Sequence, residues 1–118
     1  MEKHLVNTQE IALENINSVD IAYSWENITL FESDTNTLIL KEYMSIDKSN
    51  YYAHISNSGD KIFIKKGSRP FGIGIGILFN VFNARVEVYL PKSYTKNIKI
   101  KASSGKIEGG DIDTHSEI

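Results

Sequence analysis

The chain has 118 residues, of which 41% are hydrophobic and 24% charged, and its net charge at pH 7 is -2. These values are typical of one globular domain, and they argue against a disordered chain or a strongly basic one. The absence of cysteine excludes disulfides, thiolate catalysis and thiolate metal ligands. No segment has the length and apolar character of a signal peptide or of a membrane span.

The N-terminal part gives the weakest structural signal. We expect residues 1–10 to be a flexible N-terminus of a single domain that spans residues 1–118. Residues 8–19 place apolar side chains at a loose helical spacing, but Asn15, Asn17 and Ser18 in that stretch are poor helix formers. This stretch is therefore predicted to be strand or irregular structure.

Alternation with a period of two residues becomes clear from Val19 onward. Val19, Ile21 and Tyr23 alternate with polar or small residues, and Ile28 and Leu30 repeat the pattern. Such a period is typical of strands with one buried face. Residues 38–46 could form a short helix, but we predict strand or irregular structure for them. The alternation recurs in three later segments, namely residues 62–64, 86–90 and 98–102.

Turn formers separate these segments. Ser58-Gly59-Asp60 and Lys66-Gly67-Ser68 each follow a predicted strand, and Pro91 ends another because proline cannot donate a ladder hydrogen bond. In the last third, short strands with small polar and glycine corners follow one another, which is typical of a stacked β-coil. The pattern predicts an all-β, right-handed β-solenoid-like fold. Because no polar cap closes the coil, the chain is expected to be the N-terminal part of a longer solenoid.

The order of these motifs resembles a known family. The motifs are Ile16-x-x-Val19-x-Ile21, Gly59-Asp60-x-Ile62-x-Ile64, a strand that ends in Leu90-Pro91, and Ile98-x-Ile100-x-Ala102-x-Ser104-Gly105-x-Ile107. They resemble the bacterial "putative adhesin" domain of unknown function, also called the toast-rack domain. The resemblance implies a β-solenoid-like fold, a bacterial source and an association with the cell envelope, and it implies no catalytic residues. The lack of a leader in this chain leaves a cytoplasmic location open.

A glycine-rich apolar stretch, Gly72-Ile73-Gly74-Ile75-Gly76, follows the middle of the chain. Its spacing does not fit a dinucleotide-binding or phosphate-binding loop, so close backbone packing is the simpler interpretation. If the stretch were exposed, its apolar side chains would form a contact patch for an oligomer, a partner or a membrane surface. This candidate contact patch consists of Phe71, Ile73, Ile75, Ile77, Leu78 and Phe79.

The other candidate sites have simpler structural explanations. Glu108-Gly109-Gly110-Asp111 resembles half of a calcium-binding β-roll repeat, but it occurs once, and turn formation explains it. His4, His54 and His115 are too far apart in sequence to suggest a metal site, and His54 is predicted to face solvent from a strand. We therefore predict no catalytic residue, no metal and no cofactor.

Two clusters of residue types could still carry binding. Lysines on outer strand faces would form a basic stripe if their strands were neighbours, although they also keep a sheet soluble. These residues are Lys61, Lys65, Lys66, Arg69, Lys92, Lys96, Lys99 and Lys101. Because the overall charge is negative, nucleic-acid binding is not expected. Tyr23, Trp25, Tyr51 and Tyr52 could face a glycan, but core packing is the preferred interpretation.

The sequence thus predicts a non-catalytic structural or interaction module that presents a rigid β surface to a protein or another cell-surface ligand. Two alternatives remain open. In the first, the contact patch of residues 71–79 touches the envelope, a partner or a second copy of the chain. In the second, a β-solenoid enzyme uses carboxylates that lie together on one face.

Overall fold

The computed structural model describes residues 3–24, 26–68, 84–102 and 107–109. Within these ranges the regular structure is nine β-strands and a short 3₁₀ turn at Ser49–Tyr51. The strands are β1 (His4–Ala12), β2 (Ser18–Tyr23), β3 (Asn27–Ser33), β4 (Thr37–Met44), β5 (His54–Ser58), β6 (Lys61–Lys65), β7 (Ala84–Pro91), β8 (Asn97–Ala102) and β9 (Ile107–Gly109). This confirms the all-β prediction, including a strand where residues 38–46 had allowed a helix.

The strands form two sheets that pack against each other. One sheet has five strands in the order β1-β4-β7-β3-β9, and the other has four in the order β5-β6-β2-β8. The inner faces of both sheets supply the core, so strands such as β2, β4, β7 and β8 alternate between buried and outward-facing residues. In the described part of the chain no helix combines the length and the hydropathy that a membrane span requires.

Successive strand pairs stack as coils. The pairs β2–β3, β6–β7 and β8–β9 each contribute one strand to each sheet, and all their contacts with one another are parallel. The pair β4–β5 runs in the opposite direction, because β4 is antiparallel to β7 and β5 is antiparallel to β6. The coils do not stack in chain order: the pair β2–β3, which comes first, lies between the other two parallel pairs. The architecture is therefore β-solenoid-like.

Register across the sheets explains which side chains form the core. Val19 of β2 lies between Ile62 of β6 and Ile98 of β8, and all three are almost completely buried. In the other sheet, Val88 lies between Leu30 and Leu40 in the same way. Burying such aliphatic side chains contributes about 1.5–3 kcal/mol each, so these rows stabilise the stacked coils.

A smaller apolar cluster lies beside the main core. Met44 and Ala84 form it, with Tyr51 and Tyr52 packed against its edge. Between this cluster and the main core, Glu42 points inward from β4 and is fully buried. A carboxylate in such a place is stable only when its oxygens are hydrogen-bonded. Three donors satisfy this requirement: Asn7 Nδ2 at 2.9 Å, the Tyr23 hydroxyl at 2.7 Å and the Ala53 amide at 2.8 Å.

The ends of several strands show how the sequence sets the turns. Gly59, between β5 and β6, has a φ of 63°, a left-handed conformation that glycine adopts without steric cost. Pro91 is the last residue of β7, as the sequence predicted. The first ten residues had been expected to be flexible; from His4 onward they belong to β1, which pairs with β4.

Candidate interaction surface

The contact patch predicted from the sequence lies outside the described residues. Phe71, Ile73, Ile75, Ile77, Leu78 and Phe79 all fall between Ser68 and Ala84, where the description of the chain is interrupted. Gly72, Gly74 and Gly76 fall in the same interval. That patch stays a prediction, and the described residues supply two other outward-facing surfaces.

The first surface is on the outer side of the five-stranded sheet. We call it the aromatic face and define it by Phe31 of β3, Lys41 and Tyr43 of β4, and Arg85, Glu87 and Tyr89 of β7. These residues alternate with the buried ones, so they share the side of the sheet that faces away from the core. The register places Tyr89 opposite Phe31, and Arg85 opposite Tyr43.

The rings on the aromatic face are held by direct contacts. Phe31 and Tyr89 stack with ring centroids 4.8 Å apart and an angle of 15° between their planes. The Arg85 guanidinium lies 3.8 Å from the centroid of the Tyr43 ring, and Lys41 Nζ lies 5.0 Å from that of Tyr89. These are favourable aromatic and cation–π distances. The face is thus an ordered set of rings and cations.

Glu87 ties the polar groups of this face together. Its Oε1 accepts hydrogen bonds from the hydroxyls of Tyr89 at 2.8 Å and Tyr43 at 3.1 Å, and its Oε2 accepts one from Arg85 at 2.8 Å. The Arg85 side chain of this ion pair is 40% exposed, so the ion pair itself contributes little to stability. The three donors fix the carboxylate, and through it both tyrosine rings.

The pKa values follow from this network. Burial raises the pKa of Glu87, but the hydrogen bonds from Arg85, Tyr89 and Tyr43 outweigh it, so the pKa is lowered overall. Burial, followed by the hydrogen bond to Glu87, raises the pKa of Tyr89 to about 12, and the same causes raise the pKa of Tyr43. At neutral pH the carboxylate is charged and both hydroxyls are protonated. The groups do not form a proton donor and acceptor matched for transfer near pH 7.

The second surface is on the outer side of the four-stranded sheet. We call it the lysine face and define it by Lys61, Phe63 and Lys65 of β6, Asp20 of β2, and Lys99 and Lys101 of β8. The register aligns Phe63, Asp20 and Lys99 in one row across the three strands, and Lys65 and Lys101 in the next. The sequence predicted a stripe only if the lysine-bearing strands were neighbours; β2 lies between β6 and β8, so four of the lysines share one face without lying on adjacent strands. Lys66, Lys92 and Lys96 lie in connections, and Arg69 lies outside the described residues.

Two shallow clefts flank Tyr94 in the connection between β7 and β8. One has a volume of about 290 Å³ and is lined by Leu13 and Pro91; the other, of about 330 Å³, is lined by Asn15 and Ile16. The Tyr94 hydroxyl is buried and has no hydrogen-bond partner among the described residues, and burial raises its pKa. Because no charged group is buried in either cleft, we do not assign a site there.

The remaining predicted candidates can now be placed. His54 is exposed on β5, as predicted, and His115 lies outside the described residues. Tyr23 is buried in the core, which agrees with the packing interpretation, whereas Trp25 is outside the description. Of the Glu108-Gly109-Gly110-Asp111 motif, only the first two residues are described. Within the described ranges no three potential ligands come together as a metal site.

The sequence reasoning missed the aromatic face. Its signal was present in Arg85-x-Glu87-x-Tyr89, where every outward position of one strand carries a side chain capable of specific contacts. The partners Phe31 and Tyr43 are far away in sequence, however, and only the strand register brings them beside β7.

A solved structure provides a comparison for the fold. It is described as a "putative cell adhesion protein" from Clostridium sporogenes, and it superposes on this chain with a TM-score of 0.67 at 7% sequence identity. The alignment covers 92% of this chain and 51% of the other, so the chain spans about half the length of that protein. At this identity the likeness shows the fold alone. No curated protein matches the chain.

The family assignment rests on sequence. The model of the family described as Toastrack DUF4097 matches residues 16–116. The match includes every strand from β2 to β9 and the strand end at Leu90-Pro91 that the sequence motifs singled out. The resemblance predicted from these motifs is confirmed, and the chain belongs to the Toastrack DUF4097 family.

Proposed function

We propose that the chain is a non-catalytic interaction module, and that the aromatic face binds a protein partner. The observation that carries this proposal is the ordered stack of Phe31 on Tyr89, flanked by the cations Lys41 and Arg85. Tyrosine and arginine are enriched among the residues that dominate the energy of protein interfaces. A face that displays two tyrosines, an arginine and an exposed phenylalanine has that composition.

Preorganisation supports the same proposal. A side chain that is immobilised only on binding costs about 0.5–1.5 kcal/mol of conformational entropy. Tyr43, Arg85 and Tyr89 are already held by Glu87 through three hydrogen bonds, so most of that cost does not arise again when a partner docks. Phe31, whose side chain is 37% exposed, offers apolar area that a partner can cover.

Two arguments favour binding over catalysis. Glu87, the carboxylate at the centre of the face, has a lowered pKa and accepts three hydrogen bonds, which makes it a poor proton acceptor. The Toastrack family match and the structural neighbour described as a "putative cell adhesion protein" are also consistent with a surface module. A cell-surface protein is therefore the class of partner that we propose.

Site-specific photo-cross-linking in the native host tests this proposal. The photoreactive residue benzoylphenylalanine replaces Phe31 in one variant and Phe63 in another. The two phenylalanines are equally exposed, at 37%, and lie on opposite outer faces, so each is a matched control for the other. We expect a discrete protein adduct from position 31, identified by mass spectrometry, and none from position 63.

Affinity for the identified protein is then measured with purified components. We expect Tyr89→Ala to weaken binding about 30-fold, the effect of losing one dominant interface residue. Phe63→Ala should leave the affinity unchanged. Equal protein adducts from both positions, an adduct only with a second copy of the chain, or an unchanged affinity in the folded Tyr89→Ala variant would refute the proposal.

A further inference from the structure

The lysine face has a charge opposite to that of the whole chain. It carries four exposed lysines and one aspartate, a net charge of +3, whereas the chain as a whole has a net charge of -2. Positive charge concentrated on one side of an acidic protein orients that side toward anionic partners. This asymmetry is the first observation on which the inference rests.

Most of this charge is not neutralised locally. Within the described ranges no ion pair or hydrogen bond to the ammonium group of Lys61, Lys65 or Lys101 is present, although Lys99 does have a contact. Asp60 lies at the rim of the face, where its carboxylate accepts a hydrogen bond from Asn17 at 2.6 Å. Lys65 and Lys101 flank the small residue Ala22 on the two neighbouring strands, and both are exposed to solvent.

The shape of the face and its central side chain indicate what kind of anion fits. Neighbouring strands are about 4.8 Å apart, so the lysines of β6 and β8 are separated by roughly 10 Å across β2. The outward residues of β2 between them, Asp20 and Ala22, are short. Phe63 stands among the lysines and is 37% exposed. An exposed aromatic ring between two lysines of the same strand, Lys61 and Lys65, suits a membrane interface, where the ring enters the headgroup layer.

We infer that the lysine face binds an anionic lipid surface. Nucleic acid is the other large polyanion that the lysines could attract. Proteins that bind single strands, however, use grooves lined by several aromatic side chains on which bases stack. Among the described residues of this face, Phe63 is the one exposed aromatic. The inference is independent of the proposed protein partner, because the aromatic face belongs to the opposite sheet. With both faces in use, the domain would lie on the membrane and present its aromatic face outward.

Vesicle co-sedimentation of the full chain tests the inference. We expect binding to vesicles of mixed phosphatidylglycerol and phosphatidylcholine, no binding to phosphatidylcholine alone, and weakening as salt is added. Each lysine near an anionic surface contributes about fivefold to partitioning. The double variant Lys65→Gln/Lys101→Gln should therefore bind about 30-fold more weakly, whereas Lys48→Gln/Lys92→Gln, which removes two exposed lysines elsewhere, should bind as the wild type does.

Phe63→Ser separates a lipid surface from other polyanions. Because Phe63 is 37% exposed, we expect loss of its ring to weaken vesicle binding about three- to sixfold, whereas Phe31→Ser should have no effect. Binding of a single-stranded oligonucleotide, followed by fluorescence anisotropy, provides the second arm. Absent vesicle binding, equal losses in the two lysine double variants, or oligonucleotide binding that exceeds vesicle binding would overturn the inference. Circular dichroism of each variant is the control for correct folding.

Discussion

Replacing the buried carboxylate of Glu42 with leucine should strongly destabilise the fold. Leucine fills a similar volume, but it leaves Asn7 Nδ2, the Tyr23 hydroxyl and the Ala53 amide without the acceptor that they share. Each orphaned buried donor costs about 1–3 kcal/mol, while leucine avoids the cost of burying a polar carboxyl group. We expect a net loss of about 3 kcal/mol in the free energy of unfolding for Glu42→Leu.

A double-mutant cycle with Tyr23→Phe makes this reasoning refutable. In the wild type, Tyr23→Phe removes the hydrogen bond that the Tyr23 hydroxyl donates to Glu42 and should cost about 1–3 kcal/mol. In the Glu42→Leu background it removes a hydroxyl that has lost its Glu42 acceptor and should cost little or nothing, so the two changes should be coupled by about 2 kcal/mol. Urea denaturation followed by far-UV circular dichroism measures all four free energies.

The control for the cycle is Tyr43→Phe. Tyr43 is next to Glu42 in sequence, but it faces outward and donates its hydrogen bond to Glu87, so its effect should be the same with or without Glu42→Leu. A Glu42→Leu variant as stable as the wild type would refute the assignment of Glu42 as the shared acceptor. Strict additivity between Tyr23→Phe and Glu42→Leu would do the same.

Three further predictions follow from other residues. The pKa of Glu87 is lowered in the folded protein, so its contribution to stability is full above the pKa of an unfolded glutamate and is lost as pH falls through the folded pKa. In urea denaturation at a series of pH values, Glu87→Gln should therefore lose less stability on acidification than the wild type. Ultraviolet titration of Glu87→Gln should show the Tyr89 pKa falling from about 12 toward 10. Gly67→Ala should destabilise by about 1–3 kcal/mol, since a Cβ there would collide with the Tyr52 carbonyl, and a thermal melt as high as the wild type's would contradict this. Asn15 has a φ of 63°, so Asn15→Ala should cost about 1 kcal/mol in urea denaturation, whereas Asn15→Gly should cost less than Asn15→Ala.

The strands with apolar inner positions could be predicted from the sequence. Val86 and Val88 alternate with longer polar side chains, and a period of two is sufficient to assign their face. β1 could not be recognised in the same way, because Asn7 occupies one of its inward positions. That asparagine is buried only because Glu42, far away in sequence, accepts its hydrogen bond. A tertiary partner here compensates for a polar residue that breaks the local pattern.

The interaction surfaces depend on register, which alternation alone does not determine. A period of two says that Phe31 and Tyr89 each face outward, but not that β3 and β7 are neighbours. The sequence assigns the lysines to outer faces. Only the pairing of β6 and β8 with opposite edges of β2 shows that Lys65 and Lys101 share one face. Residue types on a face were therefore predictable, and the composition of each whole face was not.

The position of the β2–β3 pair in the middle of the stack has a consequence for folding. This pair is synthesised before the two pairs that flank it, so its edges stay unpaired until β6 to β9 have left the ribosome. Its parallel partners are all distant in sequence, and such topologies fold slowly, in about milliseconds to seconds. During synthesis Val19, Ile21 and Ile28 are thus exposed on a strand pair open at both edges, and we expect this pair to be the segment most dependent on protection from aggregation.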